Sequence, residues 1–139
     1  MDIAIGKYTD FDFSQILALY ESVGWTNYTG DPEMLKAAFA NSLVVLGAFR
    51  GGRLLGLARA VGDGASILYV QDILVAPEYQ RAGIGSGLLK RLLEMYPQVY
   101  QAVLLTDDTE KTVGFYRSLG LVPVEDMGVR GFLRMKSAV

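Results

Sequence analysis

The sequence predicts one α/β domain, spanning residues 1–139, built on a mixed β-sheet. Three apolar runs of strand length, 43–49, 54–61 and 67–75, follow one another in the middle of the chain. Apolar residues recur at helical spacing on both sides of these runs. A length of 139 residues with an apolar fraction of 51% suits a chain that buries a single core. We therefore expect strands and helices to share that core.

The first elements are expected to be a strand, a helix and a loop. Residues 3–7 form a short strand-like run, and residues 11–23 carry apolar side chains at helical spacing. Either Asp10 or Asp12 could cap this helix with its carboxylate. Residues 24–30 are polar and aromatic and lie between two glycines, which indicates a loop.

Asp31 and Pro32 mark the start of a second helix, which is expected to continue to residue 41. A capping carboxylate followed by proline at the first helical position is typical of a helix start. The run Arg50-Gly51-Gly52-Arg53 predicts a hairpin between the first two central strands. The later elements are helices over 88–96 and 109–119, a strand over 99–106, and two final strands over 121–124 and 132–135. The predicted order is β-α-α-β-β-β-α-β-α-β-β.

The residue inventory excludes several classes of protein. The chain has no cysteine and no histidine, so a disulfide, a thiolate or histidine metal site, an acyl-cysteine and a Ser-His-Asp triad are all excluded. The formal net charge is −2, and no basic stripe is present that could neutralise a nucleic-acid backbone. No apolar run approaches the roughly 20 residues of a membrane span. We expect a cytoplasmic protein with no metal, nucleic-acid or membrane partner.

A glycine-rich run lies between a predicted strand and a predicted helix: Gln80-Arg81-Ala82-Gly83-Ile84-Gly85-Ser86-Gly87. A helix that begins among glycines leaves its first amides unpaired and open to an anion. Because Arg81 adds a positive charge beside them, the run predicts a pyrophosphate site, although an ordinary glycine-rich turn has the same pattern. The Gly-Lys-Ser/Thr of an NTPase loop is absent, and Leu88 stands where a dinucleotide fingerprint requires glycine.

Two segments resemble motifs of the GCN5-related N-acetyltransferase (GNAT) family. The run 72–85, Asp-Ile-Leu-Val-Ala-Pro-Glu-Tyr-Gln-Arg-Ala-Gly-Ile-Gly, resembles motif A, which reads Gln/Arg-x-x-Gly-x-Gly/Ala after a strand that ends in Val-x-Pro. The run 115–121, Phe-Tyr-Arg-Ser-Leu-Gly-Leu, resembles motif B at the family's distance. The resemblance implies a GNAT-like fold and acetyl transfer from acetyl-coenzyme A (acetyl-CoA). The acceptor would be a primary amine of a small molecule or peptide, which attacks directly in a ternary complex.

The resemblance also implies where the coenzyme binds. It places the pantetheine beside Leu74 and Val75, where the family strand separates from its neighbour at a bulge. Thr109 stands where many members carry an asparagine that contacts the coenzyme, so Thr109 is a weaker candidate for that contact. The pyrophosphate is expected on the backbone amides of Gln80, Arg81, Ala82, Gly83, Ile84, Gly85 and Ser86.

Tyr116 and Asp72 are the candidate catalytic residues. By the resemblance, Tyr116 donates a proton to the departing thiolate, a role that suits a neutral phenol; the alternative is an aromatic that fills the core beside Phe115. Asp72 is the candidate base, because an acid is out of place in an apolar strand and burial raises the proton affinity of a carboxylate. The alternatives for Asp72 are a structural hydrogen-bond acceptor or an exposed edge residue. A water-mediated route or no enzyme base also stays open.

In the family, the loop between the first two helices borders the acceptor pocket, which implies Trp25, Thr26 and Tyr28 here. Aromatic walls could hold a flat or cationic amine, or they could anchor the loop to the core. Asp107 and Asp108 could attract an amine or cap the next helix. The rival hypothesis is a non-catalytic coenzyme A-binding or regulatory module, and an acyl chain other than acetyl is a further alternative. The terminal strands could mediate a homodimer, as in many relatives.

Overall fold

The computed structural model describes residues 2–136, which fall into two compact units divided after Leu105. The described part of the first unit carries five strands and four α-helices. The strands are β1 Ala4–Lys7, β2 Val44–Arg50, β3 Arg53–Val61, β4 Ile67–Val75 and β5 Gln101–Leu104. The helices are α1 Phe13–Ser22, α2 Thr26–Thr29, α3 Pro32–Ala40 and α4 Ile84–Met95. The single domain predicted over residues 1–139 stays a prediction.

The strands form one sheet in the order β1-β2-β3-β4-β5. All neighbours are antiparallel except β4 and β5, which pair in parallel and are connected through helix α4. A parallel pair requires such a crossover, whereas β2 and β3 need only a tight turn. This mixed sheet with its helices confirms the predicted α/β fold class.

The main core cluster lies between the sheet and the helices that precede β2. It contains Leu57 and Leu74, which face each other across β3 and β4, and the fully buried Ile16, Tyr20 and Leu35 of the helices. Aromatic rings of this cluster meet edge to face, the geometry that their quadrupoles favour; their centroids lie 5.0–6.2 Å apart in the contacts of Tyr20 and Phe39.

Helix α4 packs against the sheet through Ile84, Leu88, Leu89 and Leu92, all of which are buried. Gly56 of β3 makes this close packing possible, because a Cβ there would lie 3.0 Å from the Leu74 carbonyl oxygen and 3.3 Å from the Ile84 side chain. The start of α4 is therefore held directly against the central strands. This contact fixes the glycine-rich run relative to the end of β4.

Helix caps agree with the sequence. Asp12, and not Asp10, caps α1, with one carboxylate oxygen accepting hydrogen bonds from the amides of Ser14 and Gln15 at 3.1 and 3.4 Å. Asp31 caps α3 through the Met34 amide at 3.2 Å, and Pro32 occupies the first turn. Asp12 and Asp31 are therefore confirmed as capping residues, because the Asp12 carboxylate satisfies two first-turn amides and the Asp31 carboxylate satisfies one.

The second unit contains one α-helix, α5 Glu110–Ser118, and a 3₁₀ turn over Val124–Met127, within its described residues 106–136. The final strands predicted over 121–124 and 132–135 are wrong, because neither segment pairs with a strand in this structure. Pro123 has no amide hydrogen to donate to a ladder, and Gly128 ends the following turn with φ +71°. Phe132 is 93% exposed. The homodimer expected through these strands stays a prediction.

The loop predicted over residues 24–30 contains the short helix α2, which is too brief to show a periodic pattern in sequence. Among the described residues, no helix is long and apolar enough to cross a bilayer. The cytoplasmic location stays a prediction.

Candidate active site

Strand β4 separates from β5 halfway along its length. Its register with β3 pairs Arg59 with Asp72 but Ala60 with Val70, so Gln71 is an extra residue and forms a β-bulge. The parallel pairing with β5 ends at Val70, opposite Leu104. Beyond the bulge, β4 therefore has no strand partner on this side among residues 2–136. The resemblance to motif A implied such a separation.

The open edge of β4 offers backbone groups to a ligand. The amide of Ala76 donates to the Leu55 carbonyl at 2.8 Å, and Leu74 pairs with Leu57 in the same register. Because alternate residues of an antiparallel strand point their backbone groups to opposite edges, those of Ile73 and Val75 point away from β3. An extended molecule could add to this edge in the way that a peptide adds to a sheet.

The glycine-rich run turns the chain from β4 into α4 and leaves the helix start open. Gly83 is the N-cap residue, has φ +81°, and supplies no side-chain cap to the first-turn amides. The backbone amides of Ile84, Gly85 and Ser86 lie in this first turn, so no carbonyl inside the helix accepts a hydrogen bond from them. A Cβ built on Gly83 meets no atom within 4 Å, so the space in front of the helix start is open.

Arg81 precedes this helix start in an unusual backbone conformation. Its φ of +68° lies in the left-handed region, which costs a non-glycine residue roughly 1–2 kcal/mol. Left-handed residues in a turn direct successive amides toward a shared concavity that binds anions. Since Arg81 and Gly83 both adopt positive φ and are exposed, the loop combines oriented amides with an accessible guanidinium.

A cleft of about 360 Å³ lies in the first unit between the α1–α2 turn and the open edge of β4. Its lining residues are Val23, Trp25, Ile73, Leu74, Val75 and Gln80. The cleft brings the predicted acceptor residue Trp25 beside three predicted coenzyme residues, Leu74, Val75 and Gln80. Sequence reasoning missed Val23 and Ile73. Ile73 could have been found from its two-residue spacing to Val75 along the strand.

Asp72 lies outside this cleft lining, in a buried hydrogen-bond network. One of its carboxylate oxygens accepts from the Arg59 guanidinium and the Tyr20 hydroxyl, and the other accepts from the Tyr28 hydroxyl, each at 2.9 Å. The side chains of Asp72 and Arg59 are 3% and 5% exposed. A carboxylate that already accepts three hydrogen bonds and is 3% exposed offers little access to an amine. The surroundings of Asp72 therefore favour its structural alternative, and its role as a base stays a prediction.

The network keeps its tyrosines protonated and its arginine charged. Burial, followed by the negative charge of Asp72, raises the pKa of Tyr20 far above its ordinary value of 10.0. Burial also raises the pKa of Tyr28. For Arg59, burial is the largest single effect and lowers the pKa, but the charge and hydrogen bond of Asp72, together with smaller effects of Tyr20 and Tyr28, make the net shift upward. Tyr28 thus anchors the turn to the core, and its role in substrate binding stays a prediction.

The raised pKa of Tyr20 predicts a loss of stability at alkaline pH. The unfolded chain loses this phenolic proton near pH 10.0, whereas the folded protein retains it. The contribution of Tyr20 to the free energy of unfolding is therefore fully present below that pH and decreases above it. Tyr20 contributes a slope of about 1.4 kcal/mol per pH unit. We expect Tyr20→Phe to be less stable at neutral pH but to lose stability less steeply above pH 10.0. Urea unfolding across this range measures both slopes, and parallel curves would contradict the assignment.

Tyr116 lies half-buried on α5, in the second unit. Burial and the nearby charge of Asp107 raise its pKa, and a hydrogen bond with the Thr106 side chain opposes them more weakly. Thr109 caps α5, since its hydroxyl oxygen accepts from the Thr112 amide at 3.2 Å, and it also donates to the Asp107 carboxylate at 3.1 Å. Thr109 therefore has a structural role, and its contact with a coenzyme stays a prediction.

An open strand edge beside an uncapped, glycine-rich helix start indicates a site for an extended, anionic ligand. The chain matches the model of the Acetyltransferase (GNAT) family over residues 11–121. It therefore belongs to the GNAT family of acetyltransferases, and it is an enzyme of the acyltransferase class.

Solved structures and curated relatives agree with this family. A GNAT family acetyltransferase from Streptococcus pneumoniae TIGR4 is 43% identical, with a TM-score of 0.87 over 98% of this chain and 99% of its own. A protein named Uncharacterized N-acetyltransferase ycf52, from Pyropia yezoensis, is 25% identical over 94% of this chain and 75% of its own. The PaiA N-acetyltransferase of Thermoplasma acidophilum, solved with coenzyme A, is 20% identical over 85% of this chain and 88% of its own. Its TM-score of 0.69 shows the shared fold alone.

Proposed function

We propose that this enzyme transfers an acetyl group from acetyl-CoA to a primary amine of a small molecule or peptide. The observation that carries the proposal is the open edge of β4, which lies between the glycine-rich helix start and the cleft beside Trp25. A relative of the same fold was solved with coenzyme A. The amine attacks directly in a ternary complex, and no covalent enzyme intermediate is needed.

The residues present fit the coenzyme. The amides at the start of α4, together with Arg81, hold the pyrophosphate, and the open space in front of Gly83 admits it. The backbone groups of Ile73 and the amide of Val75 bind the amides of the pantetheine as a neighbouring strand would, whereas the Val75 carbonyl already accepts from the Gln80 side chain at 3.1 Å. Acetyl-CoA supplies an acetyl thioester that a neutral amine can attack. Positioning of the two reactants then provides much of the rate enhancement.

Tyr116 is proposed as the acid that protonates the leaving thiolate. A phenol is protonated at neutral pH, as a proton donor requires. Asp72 is proposed to have a structural role, because its carboxylate accepts hydrogen bonds from Arg59 and two tyrosines. In that case the amine loses its proton to a water molecule in the site, or it loses the proton in bulk solution before it binds.

Tyr116→Phe is expected to lower turnover roughly 100-fold, the lower bound for loss of a general acid, and to leave acetyl-CoA affinity unchanged. Steady-state thiol release gives the turnover, and calorimetry gives the affinity. Tyr100→Phe is the matched control, because it removes a phenolic hydroxyl from a side chain that is 84% exposed. Equal turnover in the wild-type and Tyr116→Phe enzymes would remove the acid role.

The proposed function is tested by a thermal-shift titration with acetyl-CoA, followed by thiol release against a panel of amines. A ligand that binds only the folded state at about 100 times its Kd adds about 2.7 kcal/mol of stability. We expect a rise in Tm and thiol release with at least one amine. Absence of stabilisation at saturating acetyl-CoA would contradict the coenzyme site.

A further inference from the structure

Gln71 is the only exposed residue of strand β4. The rest of the strand is buried or half-buried and, apart from Asp72, its side chains are apolar or aromatic. Gln71 is also the extra residue of the β-bulge, at the point where β4 separates from β5. Because bulges next to active sites commonly re-aim a side chain, Gln71 is a candidate for contact with a substrate.

The bulge turns the Gln71 side chain toward helix α2. Its amide donates to the Tyr28 hydroxyl at 3.4 Å, and the same hydroxyl donates to Asp72 at 2.9 Å. In a regular strand, consecutive side chains lie on opposite faces of the sheet. Gln71 and Asp72 therefore share the face that contacts Tyr28 only because the bulge lies between them and the start of the strand.

The contact with Tyr28 determines which end of the Gln71 amide faces outward. A phenol has one hydrogen to donate, and Tyr28 donates it to Asp72. The Tyr28 oxygen can therefore only accept from Gln71, so the Gln71 nitrogen faces Tyr28 and the carbonyl oxygen, Oε1, points away. Within residues 2–136, Oε1 has no hydrogen-bond partner. The strand thus presents an oriented, neutral acceptor at its surface.

A coenzyme that follows the open edge of β4 would end beside Gln71. It would pass Val75 and Ile73, and β5 fills the edge from Val70 onward, where Leu104 lies opposite. Gln71 lies four positions before Val75, which is about 13 Å of extended strand. The pantetheine arm has about twelve bonds between its phosphate oxygen and its sulfur, as many as four residues of backbone. The thioester is therefore expected at the bulge.

We propose that Gln71 binds the acceptor, and that its Oε1 accepts a hydrogen bond from the amine nitrogen that attacks the thioester. This proposal rests on the proposed function. The nitrogen–carbon bond forms as the carbon–sulfur bond breaks; the amine proton leaves to water, and the thiolate takes up a proton from the proposed acid. Gln71 neither gains nor loses a proton. A neutral acceptor suits this role, because a carboxylate beside the amine would stabilise the unreactive ammonium form.

Gln71→Cys tests where the sulfur of the coenzyme lies. The chain has no other cysteine, so the variant carries one thiol. Coenzyme A is added as its activated pyridyl disulfide; the introduced thiolate attacks the coenzyme sulfur, a mixed disulfide forms and pyridinethione leaves. Gln101→Cys is the matched control, because it replaces an exposed glutamine on β5.

We expect mass spectrometry to show one coenzyme A per chain, attached at least about tenfold faster in Gln71→Cys than in the control. Excess acetyl-CoA should slow this reaction. Equal rates in the two variants would overturn the proposal, because the thiol end of the coenzyme would then not lie at the bulge.

The disulfide reaction and the activity of the wild-type enzyme separate this proposal from the proposed function. Faster reaction of Gln71→Cys, with no thiol release by the wild type from any amine, would contradict acetyl transfer and support the coenzyme position on which this proposal depends. Thiol release by the wild type, without faster reaction of Gln71→Cys, would support the proposed function and overturn this proposal.

Gln71→Met tests the contact with the amine. Methionine is of similar size but lacks the carbonyl oxygen, so kcat/KM for the amine should fall about five- to tenfold while the Kd of acetyl-CoA stays unchanged. Because the contact is with the attacking nitrogen, the factor should be the same for each of ethylamine, phenethylamine and spermidine that the wild type accepts. Gln101→Met is the matched control and should behave as the wild type does. An unchanged kcat/KM, or a loss confined to one of several accepted amines, would overturn the contact.

Discussion

Gly83→Glu is expected to abolish measurable binding of acetyl-CoA. The added carboxylate would stand at the start of α4, in the open space where the proposed pyrophosphate site lies. It would repel the anion and compete for the same amides. Each charge-assisted hydrogen bond contributes about 1.5–3 kcal/mol, so loss of two lowers the affinity by at least roughly 100-fold. Isothermal titration calorimetry measures this change.

Two control variants separate charge from backbone strain. Gly83→Asn places a neutral side chain at the same φ of +81°, which asparagine tolerates, and should keep most of the affinity. Gly51→Glu introduces the same charge in the β2–β3 hairpin, also at positive φ and in open space, and should leave binding unchanged. If Gly83→Glu binds acetyl-CoA as the wild type does, the loop does not hold the pyrophosphate.

Patterns that lie within one element could be predicted from the sequence. The predicted bounds of β4, residues 67–75, coincide with the strand found, because its apolar residues are bracketed by a turn and by Pro77. Helix α4 begins at Ile84, four residues before the predicted start at 88. Glycine has low helix propensity, so Gly85 and Gly87 concealed the first turn, which is stabilised instead by packing on the sheet.

Contacts between distant residues could not be predicted from the sequence. Asp72 stood out as an acid in an apolar strand, but its partner Arg59 lies on another strand and is placed opposite only by the register around the bulge. The final strands were predicted wrongly for a related reason: an apolar run becomes a strand only when it pairs with a distant segment, and a local pattern does not reveal that pairing. The motifs thus located the site, whereas the sheet register determined what surrounds it.

Asp72→Asn is expected to lower the free energy of unfolding by about 3–5 kcal/mol, the cost of leaving one partner of a buried ion pair without its counter-charge. Arg59 would remain buried and charged, and the hydroxyls of Tyr20 and Tyr28 would lose an anionic acceptor. Urea unfolding measures the change. Asp126→Asn is the matched control, because it breaks an ion pair with Arg117 whose side chains are 45% and 50% exposed. Such a pair contributes about 0–1 kcal/mol.

The same variant decides between the two roles of Asp72. If the carboxylate acts through structure, the folded fraction of Asp72→Asn keeps the wild-type pH dependence of kcat, and its lower activity follows the loss of folded protein. The double variant Asp72→Asn/Arg59→Met should then recover stability, because it removes the unpaired guanidinium along with the acid. If Asp72 is the base, the variant loses the rising limb of the pH profile even where it is fully folded. The buried pair predicts the first outcome, because a side chain with 3% exposure and three donors has no open path to an amine.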